Sequence, residues 1–229
     1  MIDIHAHVLP QVDDGSRSFE TSFEMLNECV EQGVTDVVLT PHYRSLYKCS
    51  AQELIGAFED FKERVREQNI PVSIYLGQEI YIKEVSREDF KMNKVLTMNG
   101  SKYLLSEFSF DTDTDIPEFI YELRASGYKP IVAHIERYSY ADIETAHAIK
   151  AQGGFIQVNA QSIVNKRNRA SYKLIKKLFK DGLVDFVASD VHDKRQNRMK
   201  DAYEWVSKKF GKDLADKVFY TNALEIIKG

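Results

Sequence analysis

Residues 1–16 read MIDIHAHVLPQVDDGS and predict a buried first strand that ends in polar side chains. Side chains two positions apart on a strand point to the same side, so His5 and His7 point together while Ile4 and Ala6 face the other way. Two imidazoles at the end of a buried strand form either a metal clamp or an unusual pair of core histidines. The choice depends on where the other polar residues of the chain fall.

The same pattern, a short apolar strand followed by an amphipathic helix, recurs along the chain. The later strands are VTDVVLT, VSIYLGQEI, KYLLSEF, KPIVAHI, GFIQVNA and VDFVASD. Strands that are apolar on both faces are typical of a parallel sheet covered by helices. Seven such units predict a TIM-like barrel one unit short of eight, in a single domain over residues 1–229. A doubly wound open sheet is the alternative, but no GxGxxG turn supports it.

Helix boundaries are also indicated by the sequence. The helix SFETSFEMLNECVEQG is predicted to end at Gly33. Ser50 and Glu53 have the spacing of a capping box at the start of a second helix. Asp115, before Pro117, is predicted to cap a third.

Composition excludes several classes of protein. With 43% hydrophobic and 29% charged residues, the chain is expected to be globular, and its net charge of -4 argues against a nonspecific nucleic-acid binder. No apolar run reaches membrane-spanning length, and the first strand starts at Met1, so we expect a cytoplasmic protein without membrane insertion. Cys29 and Cys49 are expected to be free thiols. Neither is followed six residues later by the arginine that a thiol-based tyrosine phosphatase needs.

Most of the histidines follow predicted strands. In α/β folds the chemistry lies at the carboxyl ends of the strands. Five of the six histidines of the chain fall there, and only His147 is predicted in the middle of a helix. In chain order, the strands end with His5 and His7, His42, Glu79, Glu107, His134 with Arg137, Asn159, and Asp190 with His192.

This ring of imidazoles and carboxylates predicts a metal centre. Buried charges are costly unless they are paired, and metal cations remove that cost. Nitrogen and oxygen ligands without thiolate suit Mn, Fe or catalytic Zn. Asp14 adds a ninth candidate ligand, enough for two or three ions, although in DDGS it could instead be a turn residue, and Asp13 is a weaker candidate.

These residues resemble the polymerase and histidinol phosphatase (PHP) superfamily of metallohydrolases. The shared pattern is HxH, a downstream DG, then His, Glu, Glu, His and a late DxH. More closely, the motifs MIDIHAHVLPQVDDGS, TPHYRS, GQEIYI, YLLSEF, IVAHIERY, VNAQS and ASDVHD resemble the manganese-dependent protein-tyrosine phosphatases of bacterial capsule and exopolysaccharide loci. The resemblance extends from Met1 to the C-terminal helices.

The resemblance implies a distorted (β/α)7 barrel with a trinuclear Mn²⁺ site. The positions that match the family's ligands are His5, His7, Asp14, His42, Glu79, Glu107, His134, Asp190 and His192. Arg137 matches an arginine that contacts phosphate. A second arginine follows the DxH motif in the family, and in the shorter loop HDKRQNR we align it with Arg195, with Arg198 as the alternative. The implied partner is the phosphotyrosine tail of a membrane-associated tyrosine kinase, and we expect a monomer.

The expected chemistry is attack on a phosphomonoester by a metal-activated hydroxide. Four carboxylates against three divalent ions leave a charge of about +2, which complements a phosphate dianion. Arg137 would add charge-assisted hydrogen bonds to the phosphoryl oxygens. Two alternatives stay open: a small-molecule phosphatase, such as one for histidinol phosphate, and an inactive metal-bound regulator that only binds phosphotyrosine.

Overall fold

The structure is a computed structural model that describes residues 1–47, 49–92 and 94–229, without the side chains of Arg87 and Lys91. Its nine short strands all pair in parallel. They are β1 (Ile2–Ala6), β2 (Asp36–Leu39), β3 (His42–Tyr43), β4 (Ser73–Leu76), β5 (Glu79–Tyr81), β6 (Tyr103–Glu107), β7 (Lys129–Val132), β8 (Phe155–Asn159) and β9 (Phe186–Ala188).

The strands form two curved sheets. One has the order β1-β2-β4 and the other β3-β5-β6-β7-β8-β9. This confirms the predicted mixed α/β fold, with the six-stranded sheet as a half-barrel. The strand count differs from the predicted seven because residues 40–41 separate β2 from β3 and residues 77–78 separate β4 from β5. Pro41 has no backbone N–H to donate within a ladder.

Backbone hydrogen bonds also join segments outside these ladders. The His7 N–H donates to the Val191 carbonyl at 3.0 Å, and the Asp190 N–H donates to the His5 carbonyl at 2.8 Å. The first strand therefore lies beside the segment that follows β9.

Helices follow most strands and cover the sheets. They are α1 (Phe19–Glu31), α2 (Ala51–Glu67), α3 (Arg87–Lys91), α4 (Ile116–Ala125), α5 (Ile143–Ala151), α6 (Ala160–Val164), α7 (Arg169–Lys180), α8 (Met199–Phe210), α9 (Lys212–Asp216) and α10 (Leu224–Ile227). Short 3-10 turns occupy Ile82–Glu84, Met98–Gly100 and Ile135–Arg137, and a π-helical turn occupies Lys217–Thr221. None of the described helices is both long enough and apolar enough to span a membrane.

The predicted helix boundaries are confirmed. Ser50 and Glu53 form the reciprocal capping box of α2, and Asp115 accepts a hydrogen bond from the Glu118 N–H at the start of α4. Gly33 follows α1 with φ of 80°, a left-handed conformation that glycine adopts without strain. Local hydrogen bonding thus fixes where these helices begin and end.

The apolar core lies mainly between the strands and the helices. A second, smaller cluster joins strand residues such as Ile4, Ile131 and Ala188 to Ala223 and Ile226 near the C-terminal end. Both cysteines are free, Cys29 buried and Cys49 partly buried. Burial raises the pKa of both thiols, which disfavours the reactive thiolate.

Candidate metal centre

Five histidines from different strand ends converge on one space. His5 and His7 leave β1 on the same side, and their Nε2 atoms are 3.1 Å apart. The ring centroid of His7 lies 4.4 Å from that of His42 and 4.2 Å from that of His192. His134 completes the group, with its ring 5.5 Å from His5. His147 lies elsewhere, on α5, with its Nε2 3.4 Å from Asp181.

Glu79 lies at the centre of these imidazoles. Its Oε2 is 3.3 Å from His5 Nε2, 3.2 Å from His7 Nε2 and 3.0 Å from His42 Nδ1. Its Oε1 lies 2.9 Å from His134 Nε2. A single carboxylate that contacts four histidines would serve more than one of the candidate ligand sets.

Asp190 and Glu107 contact different histidines of this group. Asp190 Oδ1 is 3.6 Å from His5 Nε2, and Glu107 approaches His42 and His134 at 3.9 Å. Four sets of three ligands that could each hold an ion recur among these residues: His7 with His42 and His192, His5 with His7 and Asp190, His5 with Glu79 and His134, and His42 with Glu79 and Glu107.

The hydrogen bonds of His5 and His7 fit metal binding. The Nδ1 of His5 faces Gln157 Oε1 at 3.2 Å, and the Nδ1 of His7 faces Asp13 Oδ2 at 2.8 Å. Both partners are acceptors, so we assign the proton of each neutral ring to Nδ1. The two Nε2 lone pairs then point into the same space, where a positive charge is required to hold them together.

Unsatisfied atoms lead to the same conclusion. Glu79 Oε2 and His42 Nδ1 are 3.0 Å apart, but their relative orientation does not give a hydrogen bond. These two atoms and His134 Nδ1 are therefore buried without a hydrogen-bond partner among the described residues. Such orphaned atoms are rare and costly in a folded protein. The all-nitrogen and oxygen donor set therefore fits divalent cations of the manganese, iron or zinc type.

The pKa values of Glu79 and Glu107 are shifted in opposite directions. Burial and repulsion by Glu79 raise the pKa of Glu107 to about 8. Burial also opposes ionisation of Glu79, but the charge that His5 and His42 carry when protonated, together with the hydrogen bond from His134, keeps the pKa of Glu79 well below the usual value. Two adjacent buried carboxylates cannot both carry a charge without cations nearby.

Backbone conformation is strained at two of these positions. His134 has φ of 31° and Asp190 has φ of 51°, both in the left-handed region that non-glycine residues avoid. Such residues cost of order 1–3 kcal/mol and cluster at functional sites. Both side chains contact the cluster, His134 through Glu79 and Asp190 through His5.

Of the adjacent aspartates, Asp13 is buried and Asp14 lies at the rim. Asp14 Oδ1 is 3.5 Å from His42 Nε2, and its side chain is 57% exposed. Asp13 accepts hydrogen bonds from His7 Nδ1, from the His42 N–H and from the Gly15 N–H. Asp13 therefore orients two histidines, a role that the sequence did not indicate.

Gly15 explains why this loop can approach β1 so closely. A Cβ at this position would lie 2.1 Å from the His7 carbonyl oxygen, far inside any allowed contact. The glycine of DG thus permits Asp13 to reach the histidine ring.

Two of the three candidate arginines lie at the cluster. Arg137 Nη1 is 3.0 Å and Arg195 Nη1 2.7 Å from Asp190 Oδ2. Arg198 instead pairs with Asp201 on its own helix, at 2.5 Å. This geometry favours Arg195 over Arg198 as the second arginine of the site.

Two further residues contact the site and were not selected from the sequence. Arg44 donates to Glu107 Oε2 at 2.6 Å and lies over the Tyr81 ring. In the sequence, only its position two residues after His42 indicated that Arg44 could lie at the site. Gln157 Oε1 accepts from the His134 N–H at 2.9 Å, in addition to its contact with His5.

Gln157 belongs to a buried relay of amides. Its Nε2 donates to Asn159 Oδ1, and Asn159 Nδ2 donates to Asp190 Oδ2, both at 2.8 Å. Strand β8 offers no ligand of its own, but through this relay it contacts His5, His134 and Asp190.

Comparison with known proteins identifies the family. A family model described as capsular polysaccharide synthesis, CpsB/CapC, matches residues 1–228. The tyrosine-protein phosphatase CpsB of Streptococcus agalactiae serotype V is 32% identical over 239 residues, which covers 100% of this chain and 98% of the relative. The tyrosine-protein phosphatase YwqE of Bacillus subtilis (strain 168) is 30% identical over 223 residues, covering 93% and 87%.

Solved structures are similar too. One similar chain comes from the crystal structures of YwqE from Bacillus subtilis and CpsB from Streptococcus pneumoniae, which are described as unique metal-dependent tyrosine phosphatases. It superposes on this chain with a TM-score of 0.91 at 29% sequence identity. The superposition covers 100% of this chain and 94% of that chain. A phosphotriesterase homology protein from Escherichia coli shares only the fold. Its TM-score is 0.63 at 12% sequence identity, and the superposition covers 97% of this chain and 96% of that chain. The matches over nearly the whole sequence show that this chain belongs to the CpsB/CapC family of capsular polysaccharide synthesis.

Proposed function

We propose that the chain is a metal-dependent protein-tyrosine phosphatase that acts in capsule or exopolysaccharide synthesis. One observation carries this proposal: five imidazoles and three buried carboxylates converge beside two arginines. The CpsB and YwqE relatives, which are named tyrosine-protein phosphatases, support the same activity.

The proposed ligands are the nine residues named from the sequence, with Asp14 at the exposed rim of the site. We propose Mn²⁺, in two or three ions, with iron or zinc as the alternatives, because the donor set contains no thiolate. When bound, such ions activate water and stabilise the charge that develops on a transferring phosphoryl group.

The arginines are proposed to bind the phosphate. The side chains of Arg137 and Arg195 are 33% and 37% exposed and reach Asp190 from the solvent side. A guanidinium in this position can donate two hydrogen bonds to phosphoryl oxygens. Because a phenolate is a good leaving group, the substrate places little demand on a general acid.

The remaining proposals concern the setting of the enzyme. We propose a single domain over 1–229 in which the two sheets form one distorted seven-stranded (β/α)7 barrel, with β2–β3 and β4–β5 each acting as one interrupted strand. The bonds between His7 and Val191 and between Asp190 and His5 support this closure. The proposed enzyme is a cytoplasmic monomer, and its proposed substrate is the phosphotyrosine segment of a membrane-associated tyrosine kinase.

A comparison of substrates tests the function. We expect the protein to release phosphate from a phosphotyrosine peptide in the presence of Mn²⁺. The kcat/KM for this peptide should be well above that for a phosphoserine peptide or histidinol phosphate, and phosphodiesters should have the lowest kcat/KM. Chelation should stop turnover, and readdition of Mn²⁺ should restore it. A tenfold preference for histidinol phosphate would favour the small-molecule phosphatase, and binding of phosphotyrosine without phosphate release would favour the inactive regulator.

A further inference from the structure

A polar groove continues from the metal centre across two neighbouring loops. Its first part, a cavity of about 440 Å³, is bordered by Arg137, Asp190 and Arg195. Its second part, about 700 Å³, is bordered by Lys166, Arg167 and Arg198. Gln161 and Asn165 line both parts, so the two cavities adjoin.

The charge of this groove is opposite to that of the whole chain. Five cations line it, Arg137, Lys166, Arg167, Arg195 and Arg198, against one carboxylate, Asp190. The chain as a whole carries 31 basic and 35 acidic residues. The single carboxylate is moreover occupied by hydrogen bonds from Arg137 and Arg195.

The outer cations are available to a partner. Lys166 and Arg167 lie between α6 and α7, are exposed, and form no ion pair with any residue in the described parts of the chain. Their loop is held by Asn165, whose Oδ1 accepts the Arg167 N–H at 3.0 Å. Isolated cations of this kind on an acidic protein attract anionic ligands.

We propose that this basic groove binds an acidic peptide segment next to the phosphotyrosine of a protein substrate. The inference rests on the proposed function, since the phosphate is taken to lie at Arg137 and Arg195. An extended peptide advances about 3.3–3.6 Å per residue, so Asp or Glu side chains a few positions away can reach Lys166 and Arg167. Apart from Phe110, the remaining side chains that line the first part carry amides and hydroxyls, which suits a peptide backbone.

The test compares three substrates with two double variants. The substrates are a phosphotyrosine peptide with Asp and Glu on both sides, the same peptide with Asn and Gln, and p-nitrophenyl phosphate, which is too small to reach from Arg137 and Arg195 to Lys166 and Arg167. The variants are Lys166→Ala with Arg167→Ala and, as a control with the same charge change, Lys62→Ala with Arg66→Ala on the exposed face of α2.

We expect the wild type to favour the acidic peptide through a lower KM, more strongly at low salt. The Lys166/Arg167 variant should raise that KM roughly fivefold to tenfold and weaken its salt dependence. The same variant should hydrolyse p-nitrophenyl phosphate and the neutral peptide with wild-type kinetics. The control variant should show wild-type kinetics with all three substrates.

Equal kcat/KM for the acidic and neutral peptides in the wild type would contradict the proposal that the basic groove binds an acidic segment. An equal loss on all three substrates would also overturn it, because the loop would then serve the site itself. If the wild type hydrolyses none of them with Mn²⁺, the proposed function fails instead. In that case, fluorescence anisotropy measures the affinity of the protein for the labelled acidic and neutral peptides and so tests the groove separately. Equal affinity for both peptides would contradict binding of an acidic segment in the groove.

Discussion

At the scale of single residues, Asp190 Oδ2 is a crowded acceptor. It receives hydrogen bonds from Arg137, Arg195 and Asn159, while Oδ1 faces the histidines. One carboxylate thus connects the proposed metal ions to the proposed phosphate-binding arginines. Separating these two roles requires measurements of both metal content and turnover.

Replacement of Arg137 by alanine makes that separation. If the guanidinium stabilises the phosphoryl group in the transition state, Arg137→Ala should lower kcat/KM for p-nitrophenyl phosphate by roughly 10²–10³, with unchanged Mn²⁺ content. Arg198→Ala is the matched control, because Arg198 pairs with Asp201 and should leave this small substrate unaffected. Loss of metal from Arg137→Ala would show that the arginine instead supports the ligand Asp190.

The amide relay predicts a different phenotype for Gln157. Its Oε1 accepts from both His5 and the His134 backbone, so Gln157→Leu should release two proposed ligands at once. We expect Mn²⁺ affinity, measured by calorimetric titration, to fall roughly 10–100-fold. The exposed Gln152→Leu is the control and should bind Mn²⁺ as the wild type does. Wild-type affinity in Gln157→Leu would mean that the relay only fills space.

Strand alternation was enough to predict that His5 and His7 point together. It did not indicate that Asp13, the weaker ligand candidate of the two adjacent carboxylates, is the hydrogen-bond partner of His7. Asp13 lies inside the site, whereas Asp14 lies at its rim. Gln157 was equally hidden, since a buried glutamine in an apolar strand carries no sign of the atoms that it will contact.

At the scale of elements, the loop after β1 determines the shape of the site. Gly15→Ala should force this loop away from His7, because its Cβ would meet the carbonyl oxygen at 2.1 Å. We expect lower Mn²⁺ affinity and a lower melting temperature. The control is Gly56→Ala in α2, where nothing lies within 4 Å and alanine should stabilise the helix by roughly 0.5–1 kcal/mol. A fully active, fully stable Gly15→Ala would contradict the close approach.

The order of strands and helices could be predicted from apolar runs and caps, but not their interruptions. Pro41 and the Gly77–Gln78 pair each end a ladder, so two predicted strands became four. Helix α6 was missed because five residues are too few to show a helical period. The interruptions fall directly before His42 and Glu79, so these two residues begin β3 and β5 instead of ending the strands before them. The set of nine ligands stays a prediction.

At the scale of the whole molecule, metal binding should stabilise the fold. Ligand at 100 times its Kd adds about 2.7 kcal/mol per site, or roughly 5–10 °C in melting temperature for a chain of this size. We therefore expect Mn²⁺ to raise the melting temperature and a chelator to reverse the change, as measured by differential scanning fluorimetry. His134→Ala should reduce the rise, whereas His147→Ala, on the surface of α5, should retain it. No rise in the wild type would contradict a metal centre built from these residues.

The pairing of β1 with the segment after β9 has a consequence for how the protein is made. His5 and His7 leave the ribosome well before Asp190 and His192, which are synthesised only after the intervening strands. Because domains fold as their residues emerge, His5 and His7 have Asp13 and Glu79 as early partners but lack Asp190 until β9 has been made. A product interrupted before β9 would lack Asp190 and His192 altogether. Full metal loading therefore reports that a chain has been translated and folded through its last strand.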